Sequence, residues 1–203
     1  MSTFYPKNDM TGVILAGGQA KRMGGQDKGL IDLAHKAMIE HVIVILRPQV
    51  ETIIISANRN PKIYERFGYP VIPDIVGGYV GPLAGMASGM RFAKTPYIVT
   101  APCDSPLIPS DLVERLYTAM ERVGANISVA HDGICIQPAF ALLESSLWGS
   151  IRAFLEAGDR KVDLWYGGQK TVLVDFSDKP NAFLNINTSE DWAALGEKFN
   201  NNA

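Results

Sequence analysis

Four glycines and three cationic side chains lie close together in residues 15–28, which read LAGGQAKRMGGQDK. Glycine allows backbone conformations and close approaches that a Cβ would forbid, and successive backbone N–H groups in such a loop can bind an anion. Lys21, Arg22 and Lys28 add positive charge along the same stretch. Because a polyphosphate requires many donors, little steric bulk and fixed positive charge, we predict that this segment binds a nucleoside triphosphate. Arg22 and Lys28 are the predicted catalytic cations.

The glycine spacing differs from that of two common phosphate-binding loops. A Walker loop has G-x-x-x-x-G-K followed by Ser or Thr, whereas Lys28 is followed by Gly29 and stands three residues after Gly25. The dinucleotide pattern G-x-G-x-x-G is missing because Gly17 and Gly18 are adjacent. The remaining interpretations are a triphosphate-binding loop of another kind and a flexible surface loop whose lysines are solvated.

Two aspartates follow predicted strands. Asp104 comes shortly after the apolar run at 96–101, and Asp74 follows the run at 69–72. Open α/β sheets bind ligands at the carboxyl ends of their strands, where the Asp104 carboxylate could coordinate Mg²⁺. The Asp74 carboxylate could accept hydrogen bonds from N1–H and the 2-amino group of guanine. From the residues alone, helix capping by Asp104 and turn formation by Asp74 remain alternatives.

Short β-rich runs alternate with longer helical patterns in the first half of the chain, as in βαβ units. The predicted fold class is therefore α/β, with three layers and a mostly parallel sheet. A second glycine-rich stretch, VGGYVGP at 76–82, precedes a helix that begins at Leu83, and Ser110 is the expected N-cap of a later helix. The predicted strands are 12–16, 52–56, 69–72, 96–101 and 126–130, and the other predicted helices are 37–46, 61–67 and 110–123.

The second half has a less regular pattern. A run at 134–143 is expected to pair antiparallel with a neighbour across a turn at Asp132-Gly133. We expect one domain over 1–203, with a nucleotide-binding half over about 11–131 and an acceptor-substrate half over about 132–203 that is smaller and mixes strands with helices. The other predicted elements are helices at 147–157, 160–166 and 190–199 and strands at 171–174 and 183–186.

The composition is that of an ordinary globular protein, with 47% hydrophobic and 20% charged residues among 203. A net charge of −2 argues against nonspecific binding to nucleic acid or to anionic membranes. The longest apolar runs, 42–46 and 53–55, are far shorter than a membrane span, and the N-terminal stretch lacks the apolar core of a signal peptide. The two cysteines and three histidines lack metal-ligand spacing. We expect a cytoplasmic protein with no structural metal, no nucleic-acid partner and no membrane partner.

The run LAGGQAKRMGGQDK at 15–28 resembles the fingerprint of nucleotidyltransferases that share a Rossmann-like fold. The longer stretch GVILAGGQAKRMGGQDKGL is most similar to the molybdenum cofactor guanylyltransferases, the MobA family. The resemblance covers almost the whole chain. Further segments match the family in the same order: GPLAGM at 81–86, PCDSPLIP at 102–109, HDG at 131–133, QPAFAL at 137–142 and FLNINTSED at 183–191.

The resemblance implies transfer of GMP from GTP to the phosphate of a molybdopterin-type cofactor, with release of pyrophosphate and with Mg²⁺ as the metal cofactor. It also implies that Asp104 is a catalytic residue and a metal ligand and that Asp74 contacts the nucleotide. Cofactor-delivery proteins and acceptor molybdoenzymes are the expected protein partners. The predicted nucleotide contacts are Leu15, Ala16, Gly17, Gly18, Gly25, Lys28, Asp74, Gly81 and Asp104.

Four residues are candidates for binding the acceptor substrate. Asn185 and Asn187 alternate along a predicted strand, so their side chains are expected to face the same way. The resemblance puts this N-x-N-T segment near the metal and the acceptor, although a strand end that caps the last helix is an alternative. Arg160 and Lys161 could meet the acceptor phosphate, but charged residues are commonly solvated. Some relatives carry Asn where this chain has Ser56, and we assign no contact to Ser56.

Other functions stay open at this point. A cytidylyltransferase or a sugar-phosphate nucleotidylyltransferase would share the first motif, and a noncatalytic nucleotide-binding regulator would retain the fold. The combination of Arg22, Lys28 and Asp104 argues against a regulator, because binding alone does not require the metal carboxylate. The chain also has AHKAM at 34–38 where relatives continue with G-K-P-L, so a proline-led helix start is missing there.

Overall fold

Strands rich in β-branched residues form one seven-stranded sheet at the centre of the computed structural model, which describes residues 5–18, 27–75 and 81–185. A separate hairpin consists of β2 (Asp32–Leu33) and β3 (Lys36–Ala37). The strands of the main sheet are β1 (Met10–Leu15), β4 (Thr52–Ser56), β5 (Val71–Ile72), β6 (Tyr97–Pro102), β7 (Ile127–His131), β8 (Ile136–Glu144) and β9 (Thr171–Asp175).

The main sheet is mostly parallel, as predicted. Its strand order is β5-β4-β1-β6-β8-β7-β9. Strand β8 runs antiparallel to its neighbours β6 and β7, and the other neighbouring pairs are parallel. The predicted antiparallel pairing of the run at 134–143 is therefore confirmed.

Helices cover both faces of this sheet. The helices are α1 (Met38–Leu46), α2 (Pro61–Tyr64), α3 (Pro82–Phe92), α4 (Leu112–Val123), α5 (Trp148–Glu156) and α6 (Val162–Gly167). Helices α1 and α4 pack into one buried cluster, and α3, α5 and α6 pack into another. Since successive strand residues point to opposite faces, Val99 belongs to the first cluster and Ile98 to the second. The three-layer α/β architecture is thus confirmed. None of these helices has the length and apolar character needed to cross a membrane in the described parts of the chain.

The strands of the second half belong to the same sheet as those of the first half. Val99 of β6 pairs with Leu142 of β8, and Val129 of β7 pairs with Leu173 of β9. The expected mixed C-terminal part therefore extends the central sheet, because β8 inserts between β6 and β7 and supplies both with hydrogen-bond partners.

The predicted N-cap at Ser110 is wrong. Helix α4 begins at Leu112, and the residue at its N-cap position, Asp111, makes no side-chain capping bond. The buried Gln49 side chain instead accepts a hydrogen bond from Val113 N–H at 3.0 Å. An orphan donor of the helix terminus is thereby satisfied from a distant part of the chain, which local sequence does not indicate.

The predicted strand at 183–186 is also wrong over its described residues. Residues 181–183 form a turn, and Ala182 N–H donates to Lys179 O at 3.0 Å. Phe183 is buried between Phe140 and Phe176, with ring centroids at 4.7 Å and 5.3 Å. Aromatic packing and a local turn therefore replace strand pairing here. Residue 186 and the predicted helix at 190–199 lie outside the described residues.

Candidate functional site

A cavity of about 440 Å³ opens at the carboxyl ends of β1, β4 and β6. These ends are level, because Leu15 pairs with Ser56 of β4 and with Pro102 of β6. Open α/β sheets bind their ligands at such an edge. The buried Ala16 continues β1 past this edge, and its N–H donates to Ser56 O at 2.8 Å. The residues that line the cavity are Leu15, Gly17, Gly18, Ser56, Asp74, Gly81, Pro82, Gly85, Pro102 and Ala139.

The first glycine-rich segment leaves β1 directly beside the cavity. A Cβ on Gly17 would lie 3.1 Å from Asn58 Nδ2 and 3.4 Å from Asp74 Oδ2, so the close approach at this position favours glycine. A Cβ on Gly18 would meet no atom within 4 Å. Both glycines line the cavity, where their N–H groups can reach a ligand. The predicted residues Lys21, Arg22, Gly24 and Gly25 lie outside the described residues.

Lys28 and Asp104 form an ion pair next to this edge. Lys28 Nζ donates to Asp104 Oδ2 at 2.8 Å. Asp104 is only 8% exposed, and a carboxylate withdrawn from water requires a charged or hydrogen-bonding partner. Asp104 follows β6 by two residues, and Lys28 lies in a 3-10 turn after the glycine-rich segment. The structure therefore brings together two of the three predicted catalytic residues.

Asp74 is held on the cavity wall by side chains that the sequence predictions omit. Ser56 Oγ donates to Asp74 Oδ1 at 2.9 Å, and Asn58 Nδ2 donates to Asp74 Oδ2 at 2.6 Å. Asp74 N–H in turn donates to Asn58 Oδ1 at 2.9 Å. Ser56, to which the sequence alone assigns no contact, lines the cavity. The sequence signal that could identify Ser56 and Asn58 is two polar residues, two positions apart, where an apolar strand ends.

Helix α3 begins at the cavity wall. Gly81 has a φ of 80°, which turns the chain into the helix, and Pro82 occupies the first helical turn. The buried Ser88 Oγ donates to Ala84 O at 2.9 Å and accepts from Ile75 N–H at 2.8 Å, which ties the residue after Asp74 to this helix. Gly81 and Pro82 line the cavity, so the N-terminus of α3, which is the positive end of the helix dipole, borders it.

Asn185 lies beside the strand end that carries Asp104. Its Oδ1 accepts a hydrogen bond of 2.5 Å from Ser105 Oγ. Ser105 is fully buried, so this contact connects the segment after β9 to the end of β6. Asn185 thus contacts the residue next to Asp104, although it is not in a strand, and its predicted place near the metal and the acceptor stays a prediction. Asn187 lies outside the described residues.

Arg160 and Lys161 are not among the residues that line the cavity. Arg160 Nη1 donates to Leu155 O at 2.6 Å and to Asp159 O at 2.7 Å. Leu155 lies in the last turn of α5, where backbone acceptors lack intrahelical partners, and Asp159 follows the end of the helix. The structure thus gives Arg160 a local capping role, and a contact between this pair and the acceptor stays a prediction.

The donor set around Asp104 is compatible with Mg²⁺. No group of three or more His, Cys, Asp or Glu side chains suitable for a metal occurs in residues 5–18, 27–75 or 81–185. Mg²⁺ in phosphate-binding sites is commonly held by one or two carboxylates together with substrate phosphates and waters. The Asp104 carboxylate and the nearby Asn185 amide oxygen fit that mode, because both are oxygen donors.

The chain is similar to known proteins over most of its length. Residues 12–171 match the family described as MobA-like NTP transferase domain. Proteins named molybdenum cofactor guanylyltransferase from Shewanella loihica and Shewanella woodyi are 50% and 51% identical to the chain over 185 residues, which covers 91% of this chain and 94% of each relative. Molybdopterin-guanine dinucleotide biosynthesis protein A from Archaeoglobus fulgidus has a TM-score of 0.77 at 23% identity and covers 94% of this chain and 99% of its own.

The matched region contains the whole cavity. It begins within β1 and ends at the first residue of β9, so every lining residue falls inside it. The likeness to the Archaeoglobus protein shows the fold, and the Shewanella relatives show kinship over nearly the full length. The chain therefore belongs to the family of MobA-like NTP transferase domains, and the prediction of a nucleotidyltransferase is confirmed.

Proposed function

We propose that this enzyme transfers GMP from GTP to the phosphate of a molybdopterin-type cofactor and releases pyrophosphate. The observation that carries the proposal is the Asp74 carboxylate, which is held on the wall of the cavity beside Gly17 of the glycine-rich segment. The names of the Shewanella relatives, molybdenum cofactor guanylyltransferase, support the same donor and acceptor.

The orientation of Asp74 supports guanine as the base. Each of its carboxylate oxygens accepts one side-chain hydrogen bond, from Ser56 or from Asn58. A carboxylate has about four acceptor positions, so each oxygen can accept one more bond. Guanine N1–H and its 2-amino group present two adjacent donors, and adenine lacks this pair. Asp74 thus favours guanine by hydrogen-bond matching.

The triphosphate would bind along the edge of the sheet. The backbone N–H groups after β1, the N-terminus of α3 and the Lys28 ammonium supply donors and positive charge at that edge. Arg22, although outside the described residues, is the second proposed cation. We expect the Lys28 ammonium to leave the Asp104 carboxylate for phosphate oxygens when GTP binds.

Asp104 is the proposed ligand of Mg²⁺, with Asn185 as a further oxygen donor. When bound, Mg²⁺ supplies charge neutralisation for the phosphate oxygens. The carboxylate of Asp104 suits this role because burial restricts its competing contact with water. Lys28 would then be released from Asp104 to orient the phosphate chain.

The proposed nucleophile requires no general base from the protein. A phosphate monoester has a second pKa of about 6, so it is largely dianionic near neutral pH. Its oxygen would attack the α-phosphorus of GTP in line, forming the new P–O bond as the bond to pyrophosphate breaks. The residues of the site would contribute position and charge stabilisation.

The acceptor would approach from the side of residues 132–203, and the nucleotide from the side of residues 11–131. Asn185 supports this assignment because it lies next to Ser105 at the end of the metal-bearing strand. Asn187, Arg160 and Lys161 are secondary candidates for acceptor contacts. A cofactor-delivery protein and the acceptor molybdoenzymes are proposed partners, and the cytoplasm is the proposed location.

The decisive experiment incubates the protein with GTP, Mg²⁺ and molybdopterin-type cofactor and measures the guanine dinucleotide and pyrophosphate. We expect both products in equal amounts, and no dinucleotide when chelator removes Mg²⁺. Parallel reactions with CTP, ATP and UTP test the base. A clear preference for CTP or UTP would instead support one of the related nucleotidylyltransferases, and binding of GTP without pyrophosphate release would support a regulator.

A further inference from the structure

A buried tyrosine contacts the segment that carries Lys28. Tyr64 of α2 is fully buried, and its hydroxyl donates to Asp27 Oδ1 at 2.5 Å. Asn60 Nδ2 donates to the other oxygen of Asp27 at 3.1 Å. Asp27 directly precedes Lys28, and its carbonyl accepts from Leu30 N–H at 3.0 Å, so it starts the turn in which Lys28 lies.

The same hydroxyl limits the path of the backbone after Lys28. A Cβ on Gly29 would lie 2.6 Å from Tyr64 Oη and 3.1 Å from Cys103 Sγ. The Tyr64 hydroxyl and the Cys103 thiol therefore both border Gly29 on the side where a Cβ would lie, and Cys103 is the residue next to Asp104. Because Cys103 N–H also donates to Leu15 O at 3.1 Å, Cys103 is anchored on the central sheet.

The Tyr64 hydroxyl and the Cys103 thiol that border Gly29 are both uncharged. Burial, followed by the nearby Cys103 and the hydrogen bond to Asp27, raises the pKa of the Tyr64 hydroxyl far above its ordinary value. Burial, followed by the Asp104 charge, likewise raises the pKa of the Cys103 thiol well above its ordinary value. The Tyr64 hydroxyl therefore stays protonated and donates its hydrogen bond to Asp27. Its contribution is to hold Asp27 in place.

We propose that Tyr64 is a positioning residue for nucleotidyl transfer, because its bond to Asp27 sets where the Lys28 ammonium lies relative to Asp104 and the transferred phosphate. The inference rests on the proposed function, in which Lys28 stabilises charge on the phosphates. The rest of the Tyr64 ring packs in the main core cluster, so the ring supports the fold while the hydroxyl positions the turn.

Tyr64→Phe separates these two roles, since it keeps the ring and removes the hydroxyl. Misplacement of a reacting group by about 1 Å can cost about a hundredfold in rate, so we expect kcat to fall by about tenfold or more while the KM for GTP changes by less than about threefold. Tyr5→Phe is the matched control. It removes a phenol hydrogen bond of 2.9 Å to Gln49 O, away from the cavity, and should leave kcat unchanged.

The second measurement asks whether Tyr64 acts through Lys28. In a Lys28→Met background, Tyr64→Phe should lower the single-turnover rate no further, because the group that it positions is gone. An equal fold-loss in both backgrounds would show an independent structural effect and would overturn the inference. Asp27→Ala tests the same connection from a half-buried position and should reproduce the kcat loss even if Tyr64→Phe folds poorly.

The outcomes distinguish this inference from the proposed function. If the wild-type protein forms no guanine dinucleotide, the proposed function fails. If the wild type is active and both Tyr64→Phe and Asp27→Ala retain its kcat, the positioning role alone is wrong. A kcat loss that Tyr5→Phe also shows would likewise overturn it.

Discussion

Lys28 Nζ lies 2.8 Å from Asp104 Oδ2 although 76 residues separate the two along the chain. One residue follows the glycine-rich segment after β1, and the other follows β6, the parallel neighbour of β1 in the sheet. The Lys28 ammonium and the Asp104 carboxylate, which neutralise each other, are thereby held at the carboxyl-end edge of the sheet. The phosphates of a triphosphate carry negative charge that can pair with Lys28, and its metal carries positive charge that can pair with Asp104. We therefore expect the bound triphosphate and metal to replace this ion pair by two new ones.

Replacement of Asp104 by Asn should abolish most metal-dependent transfer. The amide keeps the size of the side chain but removes the charge that holds Mg²⁺, and a catalytic metal contributes several kcal/mol, so the rate should fall by about a hundredfold or more. Pyrophosphate release measured across a Mg²⁺ titration checks this. Asp163→Asn makes the same change at an exposed position of α6 and should behave as wild type. Unchanged metal dependence in Asp104→Asn would contradict the assignment.

Replacement of Asp74 by Asn should weaken the preference for GTP. The amide presents a donor where guanine also presents donors, and the loss of one bidentate contact to a base costs about 1–3 kcal/mol of discrimination. Calorimetric titration with GTP and with CTP, ATP and UTP measures the change. Ser56→Ala removes one of the bonds that hold the carboxylate and should produce a smaller loss. Retention of full GTP preference in Asp74→Asn would show that the base is recognised elsewhere.

Gly85→Ala should narrow the cavity, whereas Gly89→Ala should not. A Cβ on Gly85 would lie 2.6 Å from Leu15 Cδ2 and 3.1 Å from Ser56 Oγ, and both of these residues line the cavity. A Cβ on Gly89 would lie 2.6 Å from Val13 Cγ2, which does not line it. Each added methyl overpacks α3 against the sheet and should lower the free energy of unfolding by about 1–3 kcal/mol.

Urea denaturation and GTP titration together check this pair of variants. Both should show the lower free energy of unfolding, but only Gly85→Ala should raise the dissociation constant for GTP. The stiff β-branched side chain of Val13 can move less than the end of Leu15, so Gly89→Ala should be destabilised at least as much. An equal loss of GTP affinity in both variants would contradict a nucleotide site at this wall.

The turn at Asp132 should make the stability pH-dependent at low pH. Hydrogen bonds from Cys135 N–H and Ile134 N–H lower the pKa of Asp132 to about 2. A carboxyl whose folded pKa lies below its unfolded value of about 3.9 stabilises the fold above that value, and the contribution disappears as pH falls from about 4 to about 2. The difference in free energy of unfolding between wild type and Asp132→Asn should therefore be constant above about pH 5 and shrink below about pH 4.

Urea denaturation at several pH values checks this prediction, and the midpoint of the Asp132 side-chain titration measured by NMR checks its cause. A midpoint near the ordinary aspartate value would show that the hairpin bonds do not favour the ionised form. A difference that grows on acidification would have the wrong sign for a lowered pKa and would contradict the explanation.

Local sequence predicted the elements whose stability depends on their own residues. The apolar run at 52–56 forms β4, and the run at 134–143 forms most of β8. Prediction failed where a distant residue completes an element. Gln49 supplies the helix-terminal partner expected from Ser110, and Phe140 and Phe176 hold Phe183 in a turn where a strand was expected.

The prediction of phosphate binding by the first glycine-rich segment rests on residue types, because glycine content and cationic charge are properties of the residues themselves. The partners of those residues were not readable. Ser56 and Asn58 hold Asp74, Tyr64 holds Asp27, and Lys28 contacts Asp104. In each case the two partners are far apart in the sequence, and local propensity does not predict contacts over such separations.

The sequence by itself thus determined the fold class and predicted the kind of ligand and the residue types for its site, since these predictions follow from periodicity, glycine spacing and charge. Only the tertiary structure decided which side chains meet. The strand order places β1 between β4 and β6, and this order brings Leu15, Ser56 and Pro102 to one level at the cavity edge. Strand neighbours are chosen by the packing of the whole sheet, which no single segment encodes.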